Sequence, residues 1–246
     1  MLIDPNTRLN LNLGSKNFNI PSFWFYRGFR AILLPFGKSL SLKIAVRLHW
    51  VFRHLAIALS SNQYGVHFLN SRSAIIQGRL LNLHIHEGNS VVDIACGTAR
   101  FLPTILEIGK VQYLGIDSSE VHIHKNRDMF PNSQFTIGDC LDFSIIPRCD
   151  VIIASHFIEH IDNPLNLLEQ IKPLCKKLII EVPDFYSDPI NLVSHGLKGP
   201  WWTDRDHRRE YSEASLDLLF VEANYRILER KIIGGTIAMV VSPNSV

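Results

Sequence analysis

Acidic residues are missing from most of the first third of the chain: none occurs between Asp4 and Glu87, a span that holds ten basic ones. From Glu87 onward the balance reverses, with fifteen basic residues against twenty-two acidic. The net charge of +2 therefore conceals two parts that must meet different surroundings. Cysteine is scarce as well. Cys96, Cys140, Cys149 and Cys175 form no CxxC pair and no Cys/His cluster at zinc-ligand spacing, which argues against a metal-sulfur framework and fits a reducing compartment. No run of about eighteen uncharged apolar residues appears, so a membrane-spanning helix is not expected. The N-terminus lacks the basic, apolar, small-residue order of a secretory leader, and the expected location is the cytoplasm. No internal repeat or low-complexity tract occurs, so a repeat architecture is not expected.

What is present suits a globular chain. An apolar fraction of 46% in 246 residues can bury the core of one large or two small domains. The charge reversal falls at Glu87, just before the first strand, and the chain is read as a basic helical N-terminal extension over residues 1–66 followed by a main domain over residues 67–246. Residues 1–22 are rich in Asn, Ser, Gly and Pro and read as an irregular arm. Phe23 to Leu34 is aromatic and basic, closed by Pro35 and Gly37. Leu40 to Leu59, which Ser39 could cap, has the spacing of an amphipathic helix with Lys43, Arg47 and His54 on one face. Two readings of residues 23–59 stay open. They cover a face of the main domain with their arginines at its edge, or they dock on the inner face of an anionic membrane, where each Lys or Arg contributes about 1 kcal/mol. Phe68 to Leu83 is helically spaced, and His84 and His86 follow in a connection that reads as solvated.

From Val91 onward strand and helix alternate. Strands are expected at Val91–Ala95, Tyr113–Asp117, Gln134–Gly138, Val151–Ser155, Leu178–Val182, Ile227–Ile233 and Ile237–Ser242, and helices at Phe101–Ile108, Glu120–Met129, Pro164–Leu174 and Glu213–Ala223. Apolar strands separated by helices of this length imply an α/β fold whose parallel sheet is buried on both faces. The last two strands flank only Gly234-Gly235-Thr236 and form an antiparallel hairpin, so the sheet is mixed.

In such sheets a ligand sits outside the C-terminal strand ends, where strand order reverses. The first strand ends near Asp93 and runs into Ala95-Cys96-Gly97-Thr98-Ala99, a turn of small residues that lets the backbone approach a ligand. The second ends at Asp117 and Ser118, an acid twenty-odd residues past the loop and placed for ribose hydroxyls. The third ends in Gly138-Asp139-Cys140, with Asp139 placed for an adenine amino group, and the fourth in Ser155-His-Phe-Ile-Glu-His160. Each acid alone could merely cap the following helix; four at consecutive strand ends make coincidence a poor account. A nicotinamide fingerprint is not met, because of its three glycines only Gly97 is present.

These elements resemble the class I S-adenosylmethionine-dependent methyltransferases, most closely the branch called type 11. The matching stretches are Val92 to Phe101, Gly115 to Asp117, Gly138 to Cys140, Asp150 to Pro164, Glu181 to Pro183 and His207 to Ser212, within roughly residues 67–246. The resemblance implies a Rossmann-like seven-stranded mixed sheet and S-adenosylmethionine as methyl donor. Asp93, Ala95, Cys96, Gly97, Thr98, Asp117, Ser118, Asp139, Cys140 and Ser155 would bind it, with the methionine part on the loop, the ribose on Asp117 and the adenine on Asp139 and Cys140. The family usually has glycine where Ala95 and Ala99 stand; the loop is expected to bind with ordinary φ at Ala99. His156, His207 and His160 are the candidate bases for a small-molecule or glycan acceptor methylated at oxygen, with an isoprenoid quinone or lipid acceptor, or a silent cofactor-binding protein, as alternatives. In some ubiquinone-biosynthesis relatives the segment ending at His160 helps hold a divalent metal with an earlier carboxylate. His156 stands at that place here, and no metal is expected. Trp201 and Trp202 would suit a sugar or flat acceptor, Arg205, Arg208 and Arg209 a phosphate or carboxylate. Nucleic acid is not expected as a partner, since no reading motif accompanies the basic extension.

Overall fold

The computed structural model describes residues 80–187 and 206–244 except 234, together with residues 40–49 and isolated positions before 80 and at 191. The chain divides into two compact units, Met1–Arg53 and His54–Val246. In the first, residues 40–49 are helical, with Val46 buried and Leu40 and Leu42 exposed. The expected arm over residues 1–22, most of the aromatic stretch and the loop with Trp201, Trp202 and Arg205 lie outside the described residues. Among the described residues, no helix is long and apolar enough to cross a membrane.

The second unit is built on seven strands: β1 Ser90–Ile94, β2 Gln112–Asp117, β3 Gln134–Ile137, β4 Cys149–Ser155, β5 Cys175–Pro183, β6 Tyr225–Ile233 and β7 Thr236–Pro243. Their order is β3-β2-β1-β4-β5-β7-β6. β1 to β5 pair in parallel, whereas β7 runs antiparallel to both β5 and β6, as the short Gly-Gly turn requires. The order runs outward from β1 to β3, then resumes on the other side with β4. That reversal between β1 and β4 opens the crevice that a ligand uses.

Both faces of the sheet are buried, which explains why the strands are apolar without alternation. Ile152 and Ala154 of β4 point into one core cluster with Leu167, Leu168, Leu216 and Phe220, and Val151 and Ile153 into the other with Leu102, Ile105 and Ile123. The helices supplying these residues are α1 Leu102–Ile108, α2 Glu120–Met129, α3 Pro164–Ile171 and α4 Glu213–Glu222. Ser119 caps α2 by accepting the His122 N–H at 3.3 Å. Ser212 and Ser215 cap α4 reciprocally: each hydroxyl accepts the other's backbone N–H, at 3.2 and 2.8 Å. Asn224, at φ 56, stops α4 in the left-handed region and turns the chain into β6.

Two expectations change. The helix expected to run from Pro164 to Leu174 leaves α geometry after Ile171 and finishes as a 3-10 turn, Lys172–Leu174. Pro173 explains this, since it has no N–H to donate and its ring crowds the preceding turn. His84 is not solvated: its Nε2 lies 2.7 Å from Glu229 Oε2, with the ring largely covered. The strand partner was invisible in sequence because it lies 145 residues away.

Candidate functional site

The loop from Ala95 to Ala99 is folded by left-handed residues at alternate positions. Ala95, Gly97 and Ala99 have φ of 54, 53 and 52°. The expectation of ordinary φ at Ala99 is thereby overturned. An alanine in this region is strained by about 1 to 2 kcal/mol relative to right-handed backbone; the surroundings hold the loop in place. Ala95→Gly relieves that strain but loosens the unfolded chain, so a net gain of about 0.5 to 1 kcal/mol is expected. Ala99 is fully buried, and losing its methyl cancels the gain at about 0.8 kcal/mol. Thermal denaturation should therefore show Ala95→Gly raising the melting temperature and Ala99→Gly leaving it near the parent value.

Three side chains clamp the loop and a fourth lies beneath it. Asp117, at the end of β2, accepts the Gly97 N–H on Oδ2 and the Ser119 N–H on Oδ1, both at 2.8 Å. Asn126, buried on α2, donates to the Gly97 carbonyl at 2.8 Å. Cys140 receives the Ala95 N–H on Sγ at 3.1 Å, and burial pushes its thiol up to about 11. Asp93, buried below the loop, accepts the Tyr113 hydroxyl at 2.9 Å. Burial raises its carboxyl to about 7, with the Tyr113 hydrogen bond and Arg100 opposing that rise. Above the loop there is room: a Cβ built on Gly97 would meet nothing within 4 Å. Each carboxylate oxygen of Asp117 keeps a second lone pair for a ligand hydroxyl.

The expected cofactor residues thus separate into two kinds. Thr98, Ser118 and Asp139 are exposed around the crevice, Asp139 bonding the Leu141 N–H at 2.9 Å. Asp93, Cys96 and Cys140 are buried; Cys140 holds the loop backbone at the Ala95 N–H, and Asp93 holds the Tyr113 hydroxyl.

On the other side of the crevice, Ser155 at the end of β4 donates to Glu181 Oε2 of β5 at 2.8 Å. Arg100 donates to Ser155 Oγ at 2.5 Å and forms an ion pair with Glu181. Sequence reasoning did not select Arg100 or Asn126. Asn126 left a trace, because it stands three residues after Ile123 on the buried face of α2. His156 is itself left-handed, at φ 49, held by its N–H donating to the Glu181 carbonyl at 2.7 Å. Its Nδ1 lies 3.4 Å from Glu159 Oε1 and its Nε2 4.0 Å from Glu181 Oε2, and the ring is 38% exposed. His160 and His207 meet edge to face at 4.7 Å. The His207 side chain is only 5% exposed, and its Nδ1 lies 3.0 Å from Glu210 Oε1. Of the three candidate bases, His156 is the one that combines an open ring with flanking carboxylates.

The chain belongs to a family described as a methyltransferase domain, which it matches over residues 68–230. A protein of Invertebrate iridescent virus 6, whose name as methyltransferase 235L is itself provisional, is 23% identical over 141 residues, or 55% of this chain. The chain spans about half the length of this curated relative, 51%. Among solved structures, an S-adenosylmethionine-dependent methyltransferase from Clostridium acetobutylicum ATCC 824 shares the fold at a TM-score of 0.55 and 14% identity, covering 79% of this chain and 100% of that one. Magnesium protoporphyrin IX methyltransferase from Synechocystis PCC 6803, solved with bound SAH, aligns at 0.56 and 13% identity over 70% of this chain and 82% of that one.

Proposed function

We propose that this chain transfers a methyl group from S-adenosylmethionine to an oxygen of a small-molecule or glycan acceptor, with residues 67–246 as the catalytic unit and residues 1–66 as a basic extension. The observation that carries the reading is the Asp117 carboxylate, fixed by the Gly97 and Ser119 amides beside the open space over Gly97. The fold shared with a methyltransferase solved with SAH supports the donor. When bound, S-adenosylmethionine supplies an electron-poor methyl carbon on a sulfonium centre. Asp117 orients the ribose, and the backbone of the Ala95–Ala99 loop receives the methionine part. His156 takes the proton of the acceptor hydroxyl on a ring nitrogen, and the carboxylate of Glu181, at 4.0 Å, offsets the imidazolium charge. Alignment of acceptor and methyl group contributes the rest. Arg208, paired at 3.4 Å with exposed Asp162, can exchange that weak partner for an acceptor phosphate or carboxylate. Titration calorimetry of the full chain with S-adenosylmethionine and with its demethylated product is expected to give saturable heat for both. Silence with both would refute the reading.

A lipid or isoprenoid quinone acceptor is the second reading, favoured by the exposed apolar residues Leu40, Leu42, Val51, Phe52 and Leu55, each 43 to 60% exposed. Lys43 and Arg47 stand among them. Flotation with anionic vesicles is expected to carry the full chain upward. A Lys43→Glu, Arg47→Glu chain floating equally well would count against this second reading.

A further inference from the structure

Glu159 is fully buried at the turn after β4, and both of its carboxylate oxygens lack a hydrogen-bond partner. The nearest basic atom, His156 Nδ1, is 3.4 Å away and makes no hydrogen bond. A carboxylate taken out of water without a donor is costly unless a cation replaces the lost hydration. Two imidazoles face the same spot: one carboxylate oxygen of Glu159 and one ring nitrogen each of His160 and His207 lie within 4.8 Å of one another. We propose that Glu159, His160 and His207 bind one divalent cation of the zinc class.

One carboxylate and two imidazoles are a donor set for borderline cations such as zinc, and three protein ligands leave a coordination position open. Tetrahedral zinc with bonds of about 2.1 Å needs ligand atoms about 3.4 Å apart. The three donors therefore close by little more than an ångström, within reach of small χ rotations. The backbone already holds the two contributing segments together. The Glu159 carbonyl accepts the N–H groups of Arg208 and Arg209 at 2.8 and 3.3 Å, fixing the loop of His207 to the 3-10 turn Ile158–His160. Glu210 Oε1 lies 3.0 Å from His207 Nδ1. With the proton on Nδ1, that carboxylate sets the tautomer in which Nε2 is the ligand atom, the usual arrangement behind a metal-bound histidine. The expectation that metal is absent rested on the residue at 156. The third donor comes instead from His207, some fifty residues further on, a juxtaposition only the fold supplies.

The test uses the full chain stripped with a chelator and then dialysed against zinc or cobalt(II). One equivalent of zinc is expected to remain, and cobalt is expected to give the strong visible absorption of a tetrahedral site. Zinc should also raise the melting temperature of the stripped chain. Glu159→Gln and His207→Ala should each lose the band and the zinc-dependent shift, with far-UV circular dichroism confirming that the variants are folded. The chain has eleven histidines, so zinc retained equally by both variants would mark surface binding and overturn the proposal. If neither variant folds, the parent chain decides. Absence of the cobalt band, or a melting temperature indifferent to chelator and zinc, overturns the proposal without touching the calorimetric test of cofactor binding.

Discussion

Asp117→Ala is expected to weaken S-adenosylmethionine binding by about a hundredfold or more, because hydrogen bonds to an ionised group contribute roughly 1.5 to 3 kcal/mol each. The carboxylate has two tasks. Toward the protein it accepts the Gly97 and Ser119 amides, so its removal leaves two backbone donors in a largely buried place without an acceptor. Toward the ligand it offers its remaining lone pairs to ribose hydroxyls. Asp117→Asn separates these tasks poorly and should rescue little. Its amide nitrogen must face one of two N–H donors, repelling either the loop or the start of α2. Calorimetry and melting curves on both variants check this. Near-parental affinity in Asp117→Asn would show that ionisation at this position does not matter to the site.

Asp93→Asn is expected to stabilise the chain increasingly as pH rises from about 4 to 7, by up to about 4 kcal/mol, taking roughly 1.4 kcal/mol for each unit between the unfolded and folded values. The native carboxyl is raised from 3.8 to about 7 by burial. Below pH 4 both states hold the proton and the group is neutral in its effect. Between pH 4 and 7 the unfolded chain releases its proton while the native chain retains it, so native stability falls; above 7 the loss is complete. Asparagine keeps an oxygen for the Tyr113 hydroxyl and has no charge to bury. The difference between parent and variant in denaturant midpoint should therefore vanish near pH 4 and widen through neutrality. Asp150 acts in the opposite direction. Lys176 and Ser90 hold it down to about 2, so its contribution is lost only in strong acid and does not mask the Asp93 trend. A pH-independent difference would show that Asp93 is ionised in the native chain throughout.

The strands and the hairpin were legible in sequence because apolar runs, glycines and terminal acids are local signals; β1, β2 and β4 lie within two residues of their expected limits. The positions of Asp117 and Asp139 at strand ends followed from the same pattern. Pairings across the sheet did not. Arg100 reaches Glu181 across 81 residues, and nothing near Arg100 announces that partner. His207 was visible as a candidate base, yet its contact with His160 depends on where a loop folds back. The alanines misled for a different reason. Residue type sets the cost of positive φ, but the clamps from Asp117, Asn126 and Cys140 decide whether that cost is met.

The placement of β7 bears on how the chain is made. β6 joins the sheet only through β7, and β7 follows all five parallel strands in the order of synthesis. Until it emerges, the five parallel strands present an open apolar border along β5, where Leu178, Ile180 and Val182 will be buried. The residues between the end of β5 and the end of β7 take roughly 3 to 12 s to synthesise at ordinary rates. For that interval the nascent chain carries an unpaired strand edge of the kind that recruits other chains. The same antiparallel insertion that completes the sheet therefore makes its closure wait until the whole crossover after β5 has been made.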